Sequence, residues 1–310
     1  MNDKRIVFMG TPSFASNILE GLLNEKYNVV LVVTQPDKPF GRKKILTPSA
    51  CKEVAIKNNI DVFTPNSLKE EYSKILEYKP DLIITCAYGQ FLPKELLDYP
   101  TYKSINIHGS LLPLYRGGAP IQRSIMNGDA KTGITIMYMN EKMDEGDMLY
   151  QKEMAIDIKD TNTSLFDKLS KLGKEMILEF LPKFFNRDFK AIKQDHALAT
   201  IARNIKKEEE FINFNDDVLK VYNHIRGLLD NPGCYFVVDN DKYKIHECFY
   251  KEDSNSKPGY IYGLEDKYFK IGAINGYIQI IKIQKESKNM CNAKEFNNGL
   301  GKQLVGKTCK

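Results

Sequence analysis

Long apolar runs are missing from this sequence. The longest, around Val29 to Val33, falls far short of the about 18 residues that a bilayer-crossing helix needs. The opening residues MNDKRIVFMG lack the n-region and h-region of a secretory signal, so the chain is expected in the cytoplasm. Paired cysteines are missing too. The six cysteines (Cys51, Cys86, Cys234, Cys248, Cys291, Cys309) form no CxxC, and the four histidines show neither HExxH nor finger spacing. Neither a disulfide frame nor a metal site is indicated. A GxGxxG run is also absent, so the isolated GTP tripeptide at 10–12 is no dinucleotide fingerprint.

Charge of one sign is scarce. The 45 Lys and Arg against 40 Asp and Glu leave +5, with 25 basic against 24 acidic residues in 1–188 and 20 against 16 in 189–310. The excess sits mostly in the C-terminal part. An anionic partner such as RNA would suit it, and so would simple drift in a lysine-rich chain.

What is present suffices for ordinary cores: 310 residues, 42% of them apolar, suggest about two domains on a prior of roughly 150 residues each. The first half alternates short apolar runs, RIVFMG, VVLVVT, DLIITCA and SINIHG, with SFASNILEGLLNEK, PSACKEVAIKNN and SLKEEYSKILEY, whose apolar residues recur at helical spacing. Strand and helix in alternation predict an α/β fold with a doubly wound, mostly parallel sheet covered on both faces. In such sheets ligands bind outside the carboxyl ends of the strands. TGITIMYM and MLYQKEMAI continue as strands, and TNTSLFDKLSKLGKEMILEFLPKFF reads as a long amphipathic helix.

From about Asn186 to Lys207 the pattern weakens and charge density rises, as in an exposed linker. Beyond it come a helix over 216–229 and the strand-like pieces CYFVV, YKIHECFY, GYIYG, YFKIGA and YIQIIKIQ. With turn signals such as Asn275-Gly276 between them, they predict a small antiparallel barrel of the OB-like kind. The expected division is 1–188, a linker over 189–207, and 208–310.

The chemistry is expected where SINIHGSLLPLYRGGAP leaves a strand. Side chains two apart on a strand share a face, so Asn106 and His108 project together where strand gives way to loop. Asn is a poor strand residue and both side chains need hydrogen-bond partners, which marks the address as functional, although a merely satisfied pair near a strand end is the bland reading. An imidazole needs an orienting partner, and the loop NEKMDEGDML supplies Asp144, Glu145 and Asp147 as candidates that spacing does not separate.

HGSLLP followed by RGGAPIQ, then TGITIM and MDEGDML, resembles the catalytic core of the folate-dependent formyltransferases. VFMGTPSFA and TQPDKPFGRKKILTPSACK are similar to the branch of that family that formylates methionyl-tRNA. The resemblance covers most of residues 4–182 and continues more weakly to the end. It implies Asn106, His108 and Asp144 as the catalytic trio, with no metal. It also implies 10-formyltetrahydrofolate as formyl donor, the initiator methionyl-tRNA as acceptor, and a monomer. The folate slot is expected along Ile84, Tyr88, Gly89, Gln90, Phe91 and Leu92, beside Ser110, Leu111, Leu112 and Pro113, while Gly117 and Gly118 shape the loop.

The segment PDKPFGRKKIL sets Lys38, Arg42, Lys43 and Lys44 against one acid, Asp37, and its Pro and Gly residues deny it a helix. A mobile basic loop is expected there, at a strand's carboxyl end, gripping the tRNA acceptor end, with Arg42 the preferred contact. Lys206, Lys207, Arg226, Lys242 and Lys244 of the C-terminal part would hold the stem by charge and shape. Two features depart from the family: LLDNPGCYF and the absence of tryptophan stand where relatives carry a Trp-containing turn, and KESKNM where they show a Gly-Lys pair.

Rival readings share the chemistry: transfer to an amino sugar nucleotide or to glycinamide ribonucleotide. A formyl-folate hydrolase, and a silent RNA-binding module with a leftover folate pocket, stand further off.

Overall fold

The computed structural model describes residues 3–41 and 44–309. The chain opens with β1 (Ile6–Gly10), α1 (Ser13–Asn24), β2 (Val29–Val33), β3 (Lys38–Phe40), β4 (Ile45–Thr47), α2 (Ala50–Lys57) and β5 (Val62–Phe63). Two short helices, α3 (Leu68–Glu71) and α4 (Ser73–Leu76), lead to β6 (Leu82–Cys86), α5 (Lys94–Asp98) and β7 (Ser104–His108). Next come α6 (Pro120–Met126), β8 (Lys131–Tyr138), β9 (Met148–Ala155) and the long α7 (Asn162–Phe185). The last third holds α8 (Val218–Leu228), β10 (Tyr235–Val238), β11 (Asp241–Glu252), β12 (Ile261–Glu265), β13 (Tyr268–Ala273), β14 (Gly276–Lys285), β15 (Cys291–Asn292) and α9 (Ala293–Asn298).

These elements gather into two compact units. The first holds Met1–Gly117, Thr132–Met154 and Phe166–Ala202; the second holds Gly118–Lys131, Ala155–Leu165 and Arg203–Lys310.

The first unit is built on a seven-stranded sheet in the order β5-β2-β1-β6-β7-β8-β9. The ladders β2–β5, β1–β2, β1–β6 and β6–β7 are parallel, and β8 returns antiparallel to β7. Every residue of β1 (IVFMG) and β6 (LIITC) is buried, as expected for parallel strands covered on both faces. Helix α1 buries Phe14, Ala15, Ile18, Leu19 and Leu22 along one face, and the Ser170 hydroxyl of α7 donates to the Phe14 carbonyl. Strand order reverses at β1, so the crevice for a ligand lies at the carboxyl ends of β1, β6 and β7.

Two local expectations change. SLKEEYSKILEY forms two helical turns that meet at Tyr72 rather than one helix. The basic segment forms a hairpin, β3 against β4, pairing Lys38 with Thr47, Pro39 with Leu46 and Phe40 with Ile45. A proline is tolerated there because a two-stranded ribbon leaves it an outward edge.

In the second unit the antiparallel order is β10-β11-β14-β13-β12, with β15 on β14. Bridges from Phe211 to Tyr235 and from Thr308 to Tyr260 extend its two ends. Asp239 and Asn240 both take positive φ (49° and 68°), the signature of the tight turn that joins β10 to β11. Phe236, Ile245, Phe269, Ile278, Ile280 and Phe296 lie in one core with Val221, Ile225 and Leu228 of α8.

Candidate active site

β7 is held between β6 and β8, with Asn106 opposite Thr85 on one side and His108 opposite Thr135 on the other. That register places the amide and the imidazole on one face at the carboxyl edge. The third group arrives from the connection between β8 and β9. Asp144 Oδ2 lies 3.6 Å from His108 Nδ1, and its Oδ1 accepts from Asn106 Nδ2 at 3.4 Å. Of the three candidate acids, Asp144 makes these contacts. Glu145 turns to Arg116 (3.4 Å) and Lys142 (3.6 Å).

Each member is fixed by neighbours. Thr85 Oγ1 donates to Asn106 Oδ1 at 2.8 Å. His108 is 6% exposed, and its Nε2 stands 2.9 Å from the Tyr115 carbonyl, an acceptor, so Nε2 carries a proton. The ring therefore meets acceptors on both sides: a carbonyl at Nε2 and a carboxylate at Nδ1. The Gly117 N–H donates to Asp144 Oδ2 at 2.9 Å. Asp144 itself sits at φ 53°, a left-handed conformation that costs a non-glycine residue about 1–2 kcal/mol and persists only where surroundings impose it. Two residues on, a Cβ on Gly146 would stand 1.8 Å from the Tyr138 carbonyl, so the loop closes too tightly for any side chain there.

Those surroundings include residues that sequence reasoning missed. Residues 192–202, read as exposed linker, run against the first unit. Ile192 exchanges two backbone hydrogen bonds with Met148, both 2.8 Å, and Ile201 bridges Arg116. Gln194, 5% exposed, donates from Nε2 to the carbonyls of Asp144 (2.8 Å) and Gly146 (2.7 Å). Its Oε1 accepts from Nε and Nη2 of Arg116 at 3.0 and 2.8 Å, and Arg116 Nη2 meets His196 Nδ1 at 3.1 Å. Thr200 Oγ1 accepts from the Tyr115 N–H at 2.8 Å. The attachment is made by hydrogen bonds rather than by an apolar stripe, so no periodicity marks it in the sequence.

The residues expected along the folate slot divide in two. Ile84, Ser110 and Leu112 are buried at 0%, 0% and 3% exposure, and Leu92 at 7%, so these four pack beneath the edge and leave the open surface to their neighbours. Ser110 is spent locally, donating to the Leu114 carbonyl at 2.6 Å, while its own carbonyl accepts from Thr135. Leu111 and Pro113 are half-buried. Tyr88 is buried in the β-sheet core, its phenol pushed up by burial, and its carbonyl accepts from Thr11 Oγ1 and Gln35 Nε2, both at 3.2 Å. Gly89 takes φ 92°, with a Cβ there in ordinary contact with Gln35 Nε2 at 3.7 Å, and Gln90 ties the segment to Pro65 and Leu68. Phe91 stands 67% exposed; Leu114 and Met143, on the two other loops at this edge, are 41% and 50% exposed. Three loops at this edge thus each present an exposed apolar side chain, which suits a flat heterocycle.

Thiol chemistry is disfavoured. Burial pushes Cys86, at the end of β6, well above the ordinary thiol range and Cys51 up to about 12, so neither offers a thiolate near neutrality. Among the described residues no group of three or more His, Cys, Asp or Glu is arranged to hold a metal ion.

Of the basic residues, Lys38 and Lys44 are exposed on and beside the β3–β4 hairpin, whose acid, Asp37, is paired with Lys52 at 2.7 Å. Arg42 and Lys43 lie outside the described residues. In the second unit Lys206 and Lys207 are exposed, and Lys242 lies 4.5 Å over the Tyr235 ring. Arg226 is corrected: it is 3% exposed, donating to the carbonyls of Asp160 (2.7 Å) and Asp157 (3.2 Å) and to Asn223 Oδ1 (2.8 Å). A guanidinium so enclosed holds the unit together and has no face left for phosphate.

The family profile described as formyl transferase matches residues 4–181, and that described as formyl transferase, C-terminal domain, matches 204–301. The chain is 45% identical over 306 residues to a methionyl-tRNA formyltransferase of Ligilactobacillus salivarius (strain UCC118), covering 96% of each chain. It is 43% identical to one from Mesoplasma florum, covering 99% of each. Among solved structures, HypX from Aquifex aeolicus superposes with TM-score 0.70 at 19% identity over 98% of this chain, which spans 50% of the HypX chain. An N-formyltransferase from Helicobacter canadensis superposes with TM-score 0.65 at 21% identity, over 91% of this chain and 99% of that one.

Proposed function

The chain belongs to the formyl transferase family, and we propose that it moves the formyl group of 10-formyltetrahydrofolate onto the α-amino group of methionyl initiator tRNA, in the cytoplasm, as part of translation initiation. The observation that carries the mechanism is the convergence of Asn106, His108 and Asp144 at the carboxyl edge of the sheet.

When bound, the folate supplies a formyl carbon open to attack by an amine. A free α-amino group has a pKa of about 8, and esterification of its carboxyl lowers it further, so much of the nucleophile is neutral near pH 7. The demand on the protein is therefore less a strong base than donors for the negative charge that grows on the formyl oxygen. Asn106 meets it from Nδ2, because Thr85 holds the other end of the amide. His108 is the second donor. Its Nε2 proton, which the Tyr115 carbonyl accepts in this structure, is the one to be handed to the formyl oxygen, since Nδ1 faces the Asp144 carboxylate. Asp144 orients the ring and offsets its charge, and water carries the amine proton towards the folate nitrogen.

Folate is held along residues 88–92 and beside 110–113, with Phe91, Leu114 and Met143 as apolar rim. Residues 1–188 carry the chemistry, 189–207 connect, and 208–310 hold the tRNA stem. Lys38, Arg42, Lys43 and Lys44 hold the acceptor end, Lys206 and Lys207, at the end of the connection, help to hold the stem, and the enzyme works as a monomer.

The deciding experiment offers the protein 10-formyltetrahydrofolate together with either charged initiator tRNA or a free amino sugar nucleotide. Formyl transfer to the tRNA is expected. Transfer to the sugar alone would overturn the assignment.

A further inference from the structure

We propose that Gln194 is the positioning residue of the site acid, setting the backbone from which Asp144 reaches His108 and Asn106. The inference rests on the reading of Asp144 as a member of the active site. The Gln194 amide is satisfied at all four of its hydrogen-bonding positions: two protons to the carbonyls of Asp144 and Gly146, and two acceptor positions to Nε and Nη2 of Arg116. One of those carbonyls belongs to Asp144 itself, whose positive φ would otherwise relax.

Arg116 is the other half of the device. It lies between Tyr115, whose carbonyl accepts from His108, and Gly117, whose N–H donates to the Asp144 carboxylate. Arg116 is 4% exposed and anchored further by Glu145 and His196. Gln194 thus ties the loop that carries the acid to the loop that grips both acid and imidazole. Residues 192–202 also fix the Arg116 end of the tie, since Thr200 holds Tyr115 and the Thr200 carbonyl accepts from the Arg116 N–H at 2.9 Å. A glutamate at 194 would keep the Arg116 contacts but turn an oxygen towards two carbonyls. A methionine would keep the volume and lose every contact.

Gln194→Met is expected to lower kcat about 10- to 100-fold, the scale of a reacting group displaced by about an ångström. KM for tRNA and folate should stay within about threefold. Because the residue acts through Asp144, the same change in an Asp144→Ala background should cost less than about twofold in single-turnover rate. Exchange of the Gly117 amide proton, whose acceptor is the Asp144 carboxylate, should speed up in the single variant. An equal penalty in both backgrounds, or unchanged turnover and exchange, overturns the proposal. Failure of the underlying reading looks different: Asp144→Ala alone would then keep wild-type turnover. Should Gln194→Met not fold, Gln194→Glu is read in the same cycle, and failure of both to fold makes the residue purely structural and overturns the proposal.

Discussion

The Thr85 hydroxyl donates to Asn106 Oδ1 across the β6–β7 ladder at 2.8 Å, and this contact decides which end of the amide faces the reaction. With the oxygen occupied, Nδ2 points to the Asp144 side, where a donor is needed. Thr85→Val keeps the shape and deletes the donor, leaving the amide free to turn over. Turnover is expected to fall about 3- to 10-fold, in line with loss of a hydrogen bond worth about 1 kcal/mol. Thr85→Ser should recover most of it, and the check is kcat at saturating substrates.

The trio itself carries a larger expectation. Asn106→Ala removes a donor aimed at developing charge, which in comparable sites costs about 3–4 kcal/mol, or about 10²–10³ in turnover. His108→Ala and Asp144→Ala should also depress kcat more than they raise KM. Steady-state kinetics with both substrates varied separate these effects, and wild-type kcat in any of the three removes that residue from the mechanism.

Asn106 and His108 were legible in the sequence because strand alternation and the loop that follows are local features. Asp144 was not separable from Glu145 and Asp147 by spacing, since what distinguishes it is a left-handed backbone and two distant partners. Gln194 was invisible for a related reason: its segment is attached by hydrogen bonds and leaves no apolar rhythm. Arg226 was misread as a surface cation. Its carbonyl partner at Asp160 lies 66 residues earlier, and nothing in the local pattern of α8 records it. The parallel sheet, in contrast, announces itself, because strands buried on both faces must be continuously apolar.

Acid stability should report the pairing of Glu209 with Arg123. The side-chain hydrogen bonds from Arg123, Nη2 to Oε2 at 2.9 Å among them, hold the Glu209 carboxyl down at about 2 against an ordinary 4.5. A lowered folded value gives stability that is complete above about 4.5 and is lost as pH falls through 4.5 towards about 2. After solvent screening the pair is worth about 0.5–1 kcal/mol. Glu209→Gln should lower the melting temperature at pH 7 and flatten its decline between pH 4.5 and 2. Parallel melting curves for variant and wild type across that window would discount the pair.

Salt dependence tests which cations meet RNA, as proposed, and which hold the fold. Asp37 is neutralised by Lys52, so the β3–β4 hairpin presents Lys38 and Lys44 with no opposing charge from its own acid. Each phosphate contact releases condensed counterions, so removing one should weaken tRNA binding and reduce the slope of log affinity against log salt by about 1. Lys38→Ala and Lys44→Ala are expected to do this with little change in melting temperature. Arg226→Met should do the reverse. It removes the buried guanidinium from the Asp160 carbonyl and the Asn223 amide oxygen, and one of two donors from the Asp157 carbonyl, costing about 2–4 kcal/mol of stability, while the salt slope stays at the wild-type value. Filter binding of charged initiator tRNA between low and moderate salt, paired with melting curves, reads both quantities. A reduced slope in Arg226→Met with wild-type slopes in the two lysine variants would mean that the tRNA is gripped through the second unit and not through the hairpin.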